Sequence, residues 1–123
     1  MASFAELDNS NVVINVIYVN NDDCLDQEGN RTEAAGLAFL STLFPDKRFI
    51  QTSHTGAFRR DYAVVGGTYD HELNVFVGTQ PFPSWSLNAE KYWDPPVPRP
   101  PDEEGFSFDW DEDNLRWVKI ENI

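Results

Sequence analysis

Few residues in this 123-residue chain are of types that do chemistry, and their spacing does not draw them together. Histidine occurs twice, at His54 and His71, and Cys24 is the only thiol. A serine or cysteine nucleophile needs a base held against it by packed elements. Ser53 adjoins His54 along the chain, which is adjacency and not geometry. Cys24 follows Asp22 and Asp23, whose charge disfavours a thiolate, and it has no CxxC companion. Asp22, Asp23, Asp26 and Glu28 surround Gly29 with oxygen ligands of the kind calcium takes, but an EF-hand needs an Asp where Cys24 stands, five residues before the glycine. Gly66-Gly67 has no following lysine or helix to hold a phosphate, and no GxSxG or HExxH pattern occurs. The chain has 21 acidic residues, and none of them is singled out as a glycosidase pair. The expectation is a protein that is not an enzyme, with no catalytic residue, no metal ligand and no cofactor.

Binding chemistry is better represented. Aromatic residues make up 14% of the chain, with 9 Phe, 4 Tyr and 4 Trp, and large rings let a small core form from few side chains. Trp85, Tyr92, Trp93, Trp110 and Trp117 have the ring types that stack on sugars or anchor protein contacts. Phe106, Phe108 and Trp110 alternate strictly, which predicts one buried strand face. Trp85 and Trp93 flank proline-rich sequence instead. The interface candidates are Phe82, Trp85, Tyr92, Trp93 and Val97, together with Arg59 and Arg60 from the only locally basic patch.

The charge restricts the partners. A formal net charge of -12 repels phosphate backbones and anionic membranes, so neither nucleic acid nor membrane is an expected partner. The same charge keeps free copies apart. A lone cysteine permits no intrachain disulfide, the opening residues lack the basic start and apolar run of a signal peptide, and no run approaches the roughly 18 apolar residues of a membrane span.

Periodicity supplies the elements that position these residues. Residues 3–7 and 12–19 read as a hairpin about Asp8-Asn9-Ser10-Asn11, and the dense β-branched run of the second strand predicts a central position in the sheet. Residues 20–31 form a polar loop. Asn30 and Glu33 have capping-box spacing for a helix over residues 31–44, ended by Pro45 and striped with Leu37, Leu40 and Phe44, widened by Phe39 and Leu43. Gly36 permits close packing on the sheet. Residues 49–52 read as a strand, and His54-Thr55-Gly56 as a turn. Further on, Tyr69 and Phe76, Trp85 and Tyr92, and Trp110 and Trp117 each stand seven apart about a polar turn, which predicts three aromatic hairpins. Residues 81–101 hold seven prolines, which remove backbone donors and favour an extended chain. The predicted fold is α+β and β-rich. A small antiparallel sheet with one helix fills residues 1–78. Aromatic hairpins and a proline-rich extended arm fill residues 79–123, and residues 81–101 are expected to pack on a neighbouring protein rather than on their own domain.

Several stretches carry a resemblance. Phe4-Ala5-Glu6-Leu7-Asp8, Val19-Asn20-Asn21-Asp22-Asp23-Cys24-Leu25-Asp26, Gln51-Thr52-Ser53, the basic segment from Phe58 to Tyr62, Pro81-Phe82-Pro83-Ser84-Trp85, and Trp110-Asp111-Glu112-Asp113 with Trp117-Val118 resemble small proteins of tailed phages, especially marine cyanophages. The chain departs from that pattern at Gly66-Gly67-Thr68 and around Val75 to Gly78. The resemblance brings no catalytic motif. It implies a virion structural protein assembled in the host cytoplasm, a capsid-surface decoration or cement protein whose partners are other virion proteins or further copies of itself. The alternatives are a tail- or fibre-associated adhesion module that binds host carbohydrate, and an intracellular phage protein that binds a host protein.

Overall fold

A computed structural model describes all 123 residues. The chain divides into two compact units, Met1–Thr79 and Gln80–Ile123.

The first unit is a small α+β domain with an antiparallel sheet and one helix. Strands β1 (Ala2–Leu7), β2 (Val13–Val19) and β3 (Arg48–Thr52) form the sheet in the order β2-β1-β3. β1 is the central strand, and all its residues from Ser3 to Leu7 are buried. The expectation of a central β2 is therefore corrected. β2 lies at an edge and exposes Ile14 and Tyr18, because β3 returns to the far side of β1. Its β-branched residues satisfy strand propensity without needing two neighbours. The β1–β2 register shifts between Glu6 and Leu7, so that Leu7 faces Val13 and Ile14 is the extra residue.

Helix α1 (Glu33–Leu43) packs on one face of the sheet, where Leu40 meets Phe4, Val19 and Cys24, with Leu37 and Phe39 at the margin. Thr32 is its N-cap, accepting from the Ala35 N–H at 3.1 Å, in place of the expected Asn30. An isolated bridge between Leu25 and Arg31 holds the preceding loop closed, and Asp26 Oδ1 accepts from Asn30 N–H at 2.8 Å, so the helix can only begin later. Leu43, expected on the packed stripe, is exposed. Gly36 is buried, and a Cβ there would lie 2.5 Å from Phe4 Cζ and 3.1 Å from Cys24 Sγ. The helix reaches the sheet because this position has no side chain.

The other sheet face is covered by a short ribbon of β4 (Thr68–Asp70) and β5 (Val75–Val77), in which Tyr69 stands opposite Phe76. Phe76 and Ala63 complete a cluster with Ala5, Leu7 and Val13.

In the second unit, β6 (Ser86–Leu87) pairs with β7 (Trp93–Asp94), and β8 (Phe106–Asp111) pairs with β9 (Arg116–Glu121). Trp110 stands opposite Trp117. Trp85 and Tyr92 are not opposite each other, contrary to the expected seven-residue echo. The pairs there are Leu87 with Trp93 and Ser86 with Asp94, because Asn88 Oδ1 accepts from both Glu90 and Tyr92 N–H and sets a different turn. Phe106, Phe108 and Trp110 share one face as expected, but that face is half-buried rather than buried.

Candidate interaction surfaces

The basic patch is where the structure adds most to the sequence reading. Arg59 and Arg60 are consecutive left-handed residues, φ 54° and 66°, a conformation that side chains disfavour. The turn directs the Arg59 carbonyl to accept from Asp61 and Phe76 N–H at 2.9 and 3.0 Å. The Arg59 guanidinium donates to both Glu33 oxygens, at 2.7 and 3.0 Å, to the Gln51 carbonyl at 2.9 Å and to Asn74 Oδ1 at 3.0 Å. Glu33 also accepts from Gln51 N–H at 2.7 Å. One ion pair thus ties helix α1, edge strand β3 and the β4–β5 ribbon together, and it gives Gln51 the donor and acceptor that a neighbouring strand would give. Burial alone would raise the Glu33 carboxyl, but the Arg59 hydrogen bonds and charge, with the Gln51 amide, hold it below the ordinary value. Burial would lower Arg59, and Glu33 outweighs it. Arg59 is a clasp within the unit. The Arg60 side chain is mostly covered, with Nε 3.6 Å from Asp61.

Ser3, Tyr18, His54 and Tyr62 gather on the sheet face that carries the ribbon. His54 stacks on Tyr62 with centroids 4.3 Å apart, and its Nδ1 shares a 3.3 Å hydrogen bond with Ser3 Oγ. Its Nε2 faces the Tyr18 hydroxyl at 3.4 Å, which accepts from Tyr62 at 3.4 Å. The Tyr62 hydrogen bond raises the Tyr18 phenol. Sequence reasoning missed this group, since its members come from positions 3, 18, 54 and 62. The near-planar stacking of the rings makes it a polar aromatic cover over Ser3, whose hydroxyl lies in a fully covered strand. A cavity of about 240 Å³ opens beside His54 and Thr52. A second, of about 330 Å³, is lined by Cys24, Arg31, Glu33 and Phe58. Burial, then the Asp23 charge, pushes the Cys24 thiol up, so it faces that cavity as a protonated thiol. In the acidic loop, Asp26 Oδ1 accepts from Glu28 and Asn30 N–H, and no group of three His, Cys, Asp or Glu side chains is placed to hold a metal ion.

The remaining interface candidates fall in the second unit. Trp85 packs edge-on against Trp110 and Trp117 at 6.0 and 6.1 Å and touches Phe82 at 5.6 Å. Trp110 and Trp117 meet at 5.2 Å. Glu112 sits beside this cluster. Its carboxylate accepts from Ser84 Oγ and N–H at 2.6 and 3.1 Å and from Trp110 Nε1 at 2.8 Å, and these bonds hold its pKa down. The Val97 carbonyl accepts from Trp117 Nε1 at 2.8 Å, and Arg99 lies 5.5 Å over Phe108. The proline-rich run therefore crosses the aromatic face of its own hairpin, which corrects the expectation that residues 81–101 pack only on a neighbour. Proline-rich segments dock into aromatic-lined grooves in a preformed extended shape. Tyr92 and Val97 remain exposed, and Trp93 is half-buried opposite Leu87.

No protein-family model, no curated protein and no solved structure matches this chain.

Proposed function

We propose that this chain is a structural subunit of a tailed-phage virion, a decoration or cement protein seated on the capsid surface through its second unit. One observation supports this above the rest. From Gln80 to Ile123 no residue is buried, although the segment contains Phe82, Trp85, Trp93, Phe106, Phe108, Trp110 and Trp117. A 44-residue unit with half-exposed rings and short two-stranded ribbons lies in the size range where folded domains need added support. Docking against a larger protein supplies the missing burial, and a proline-stiffened segment loses little entropy on docking. The resemblance to small phage proteins supports a virion as the assembly. The Trp85, Trp110 and Trp117 rings meet edge to face and spend their faces on one another, which favours protein contact over stacking on sugar. Mass spectrometry of purified particles tests the proposal. The protein present in many copies per particle is the expected result, and its recovery only from infected lysate overturns the reading.

A further inference from the structure

The three-stranded sheet guards its two edges unequally. On the β3 side, the Glu33–Arg59 pair satisfies Gln51 N–H and C=O. Gln51 thus points away from β1, and alternation then turns the backbone groups of Phe4 and Ile17 toward each other and those of Val16 and Tyr18 outward from β2. Near its start β2 is covered. Val13 N–H donates to Gly67 C=O and Val13 C=O accepts from Gly66 N–H, both at 2.8 Å, and Asn11 C=O accepts from Tyr69 N–H at 2.9 Å. Beyond the bulge that cover ends. At Val16 and Tyr18 the only bond on the outer side is the one from Val16 N–H to Oδ1 of the preceding residue, Asn15, at 3.0 Å.

We propose that this bare half of β2 pairs antiparallel with the same strand of a second copy, about a two-fold axis at Ile17. The register is self-complementary. Val16 of one copy lies opposite Tyr18 of the other, twice over, and the two pairs exchange roughly four backbone hydrogen bonds, with Asn15 releasing the Val16 amide. Each pair sets an aromatic ring against a β-branched side chain, a favourable cross-strand combination. Charge favours a copy of this chain as the occupant. The strand VINVIYV has no charged residue, so two chains of net charge -12 can meet along it without opposing like charges. At the ends of that register Val19 of one copy faces Asn15 of the other, again without charge. This pairing is independent of the docking assigned to the second unit.

Sedimentation equilibrium of the full chain tests it, at low salt and at about 0.5 M salt, where repulsion between the acidic copies is screened. The expected result is a dimer that tightens as salt rises, with Val16 and Tyr18 amide exchange slowing as protein concentration increases. Val16→Pro removes an outward-facing donor, which an edge strand tolerates, and is expected to abolish the dimer. Tyr18→Lys leaves the backbone unchanged and is expected to weaken the dimer at least tenfold, so the test survives if the proline variant does not fold. A chain that stays monomeric at high salt and high concentration overturns the proposal. A dimer that Tyr18→Lys leaves unchanged, with no concentration-dependent protection at Val16 and Tyr18, overturns it as well.

Discussion

Glu33 and Arg59 show what a single pair of side chains does in a chain this small. The pair is largely covered, with side-chain exposures of 29% and 16%, and it joins three elements. Removing one partner leaves the other charge half-buried and also strips Gln51 of its edge partner. Arg59→Ala is predicted to cost about 2 kcal/mol, read as a lowered denaturant midpoint. The pH dependence follows from the depressed Glu33 pKa. Its contribution is complete above the carboxyl's unfolded value and is lost as pH falls through the lower folded value. The stability difference between wild type and Arg59→Ala should therefore shrink on acidification, and a difference that grows in acid would refute the clasp. The raised Cys24 pKa leads to a second residue-scale outcome. Thiol reagents should label Cys24 slowly in the native protein and at the ordinary rate in denaturant, because burial keeps the thiol protonated and covered. The Asp23 charge that disfavours the Cys24 thiolate was readable in sequence, whereas its burial and the clasp were not. Arg59 read as an interface candidate in a basic patch, since its partner lies 26 positions away.

At the scale of elements, composition and periodicity showed that a sheet and one helix are present, and contacts between distant segments decided their arrangement. The β-branched density of β2 marked a strand correctly and misplaced it at the centre, because centrality depends on where residues 48–52 return. The capping box at Asn30 was outcompeted by a loop that closes on itself through Asp26. The spacing of Tyr69 with Phe76 and of Trp110 with Trp117 coincides with true cross-strand pairs, while the Asn88 turn shifts the intermediate pair out of register. Gly36 was legible as a position for close packing, and its environment turns that into a measurable effect. Alanine ordinarily strengthens a helix by up to about 1 kcal/mol over glycine. Here the new Cβ would lie 2.5 Å from the ring tip of Phe4, which is fully buried. Gly36→Ala is predicted to be destabilising by about 1–3 kcal/mol in thermal unfolding. A gain in stability would show that the helix does not rest on Phe4.

At the scale of the molecule, the two units differ in kind. Met1–Thr79 has two buried clusters, one on each side of a covered central strand, and satisfies the buried Thr52 hydroxyl by accepting from Ala63 N–H at 2.8 Å. Gln80–Ile123 has rings, ribbons and a proline run held by polar contacts, and nothing in it is buried. On the proposed function, the first unit is self-sufficient and the second is completed by its partner. The measurement that tests this most directly is cosedimentation of purified particles with the full chain and with a chain ending at Thr79. The truncated chain should keep the far-ultraviolet dichroism and cooperative melting of a folded domain, and it should stay in the supernatant when the particles pellet, while the full chain pellets with them. A truncated chain that decorates particles as tightly as the full one would contradict the account.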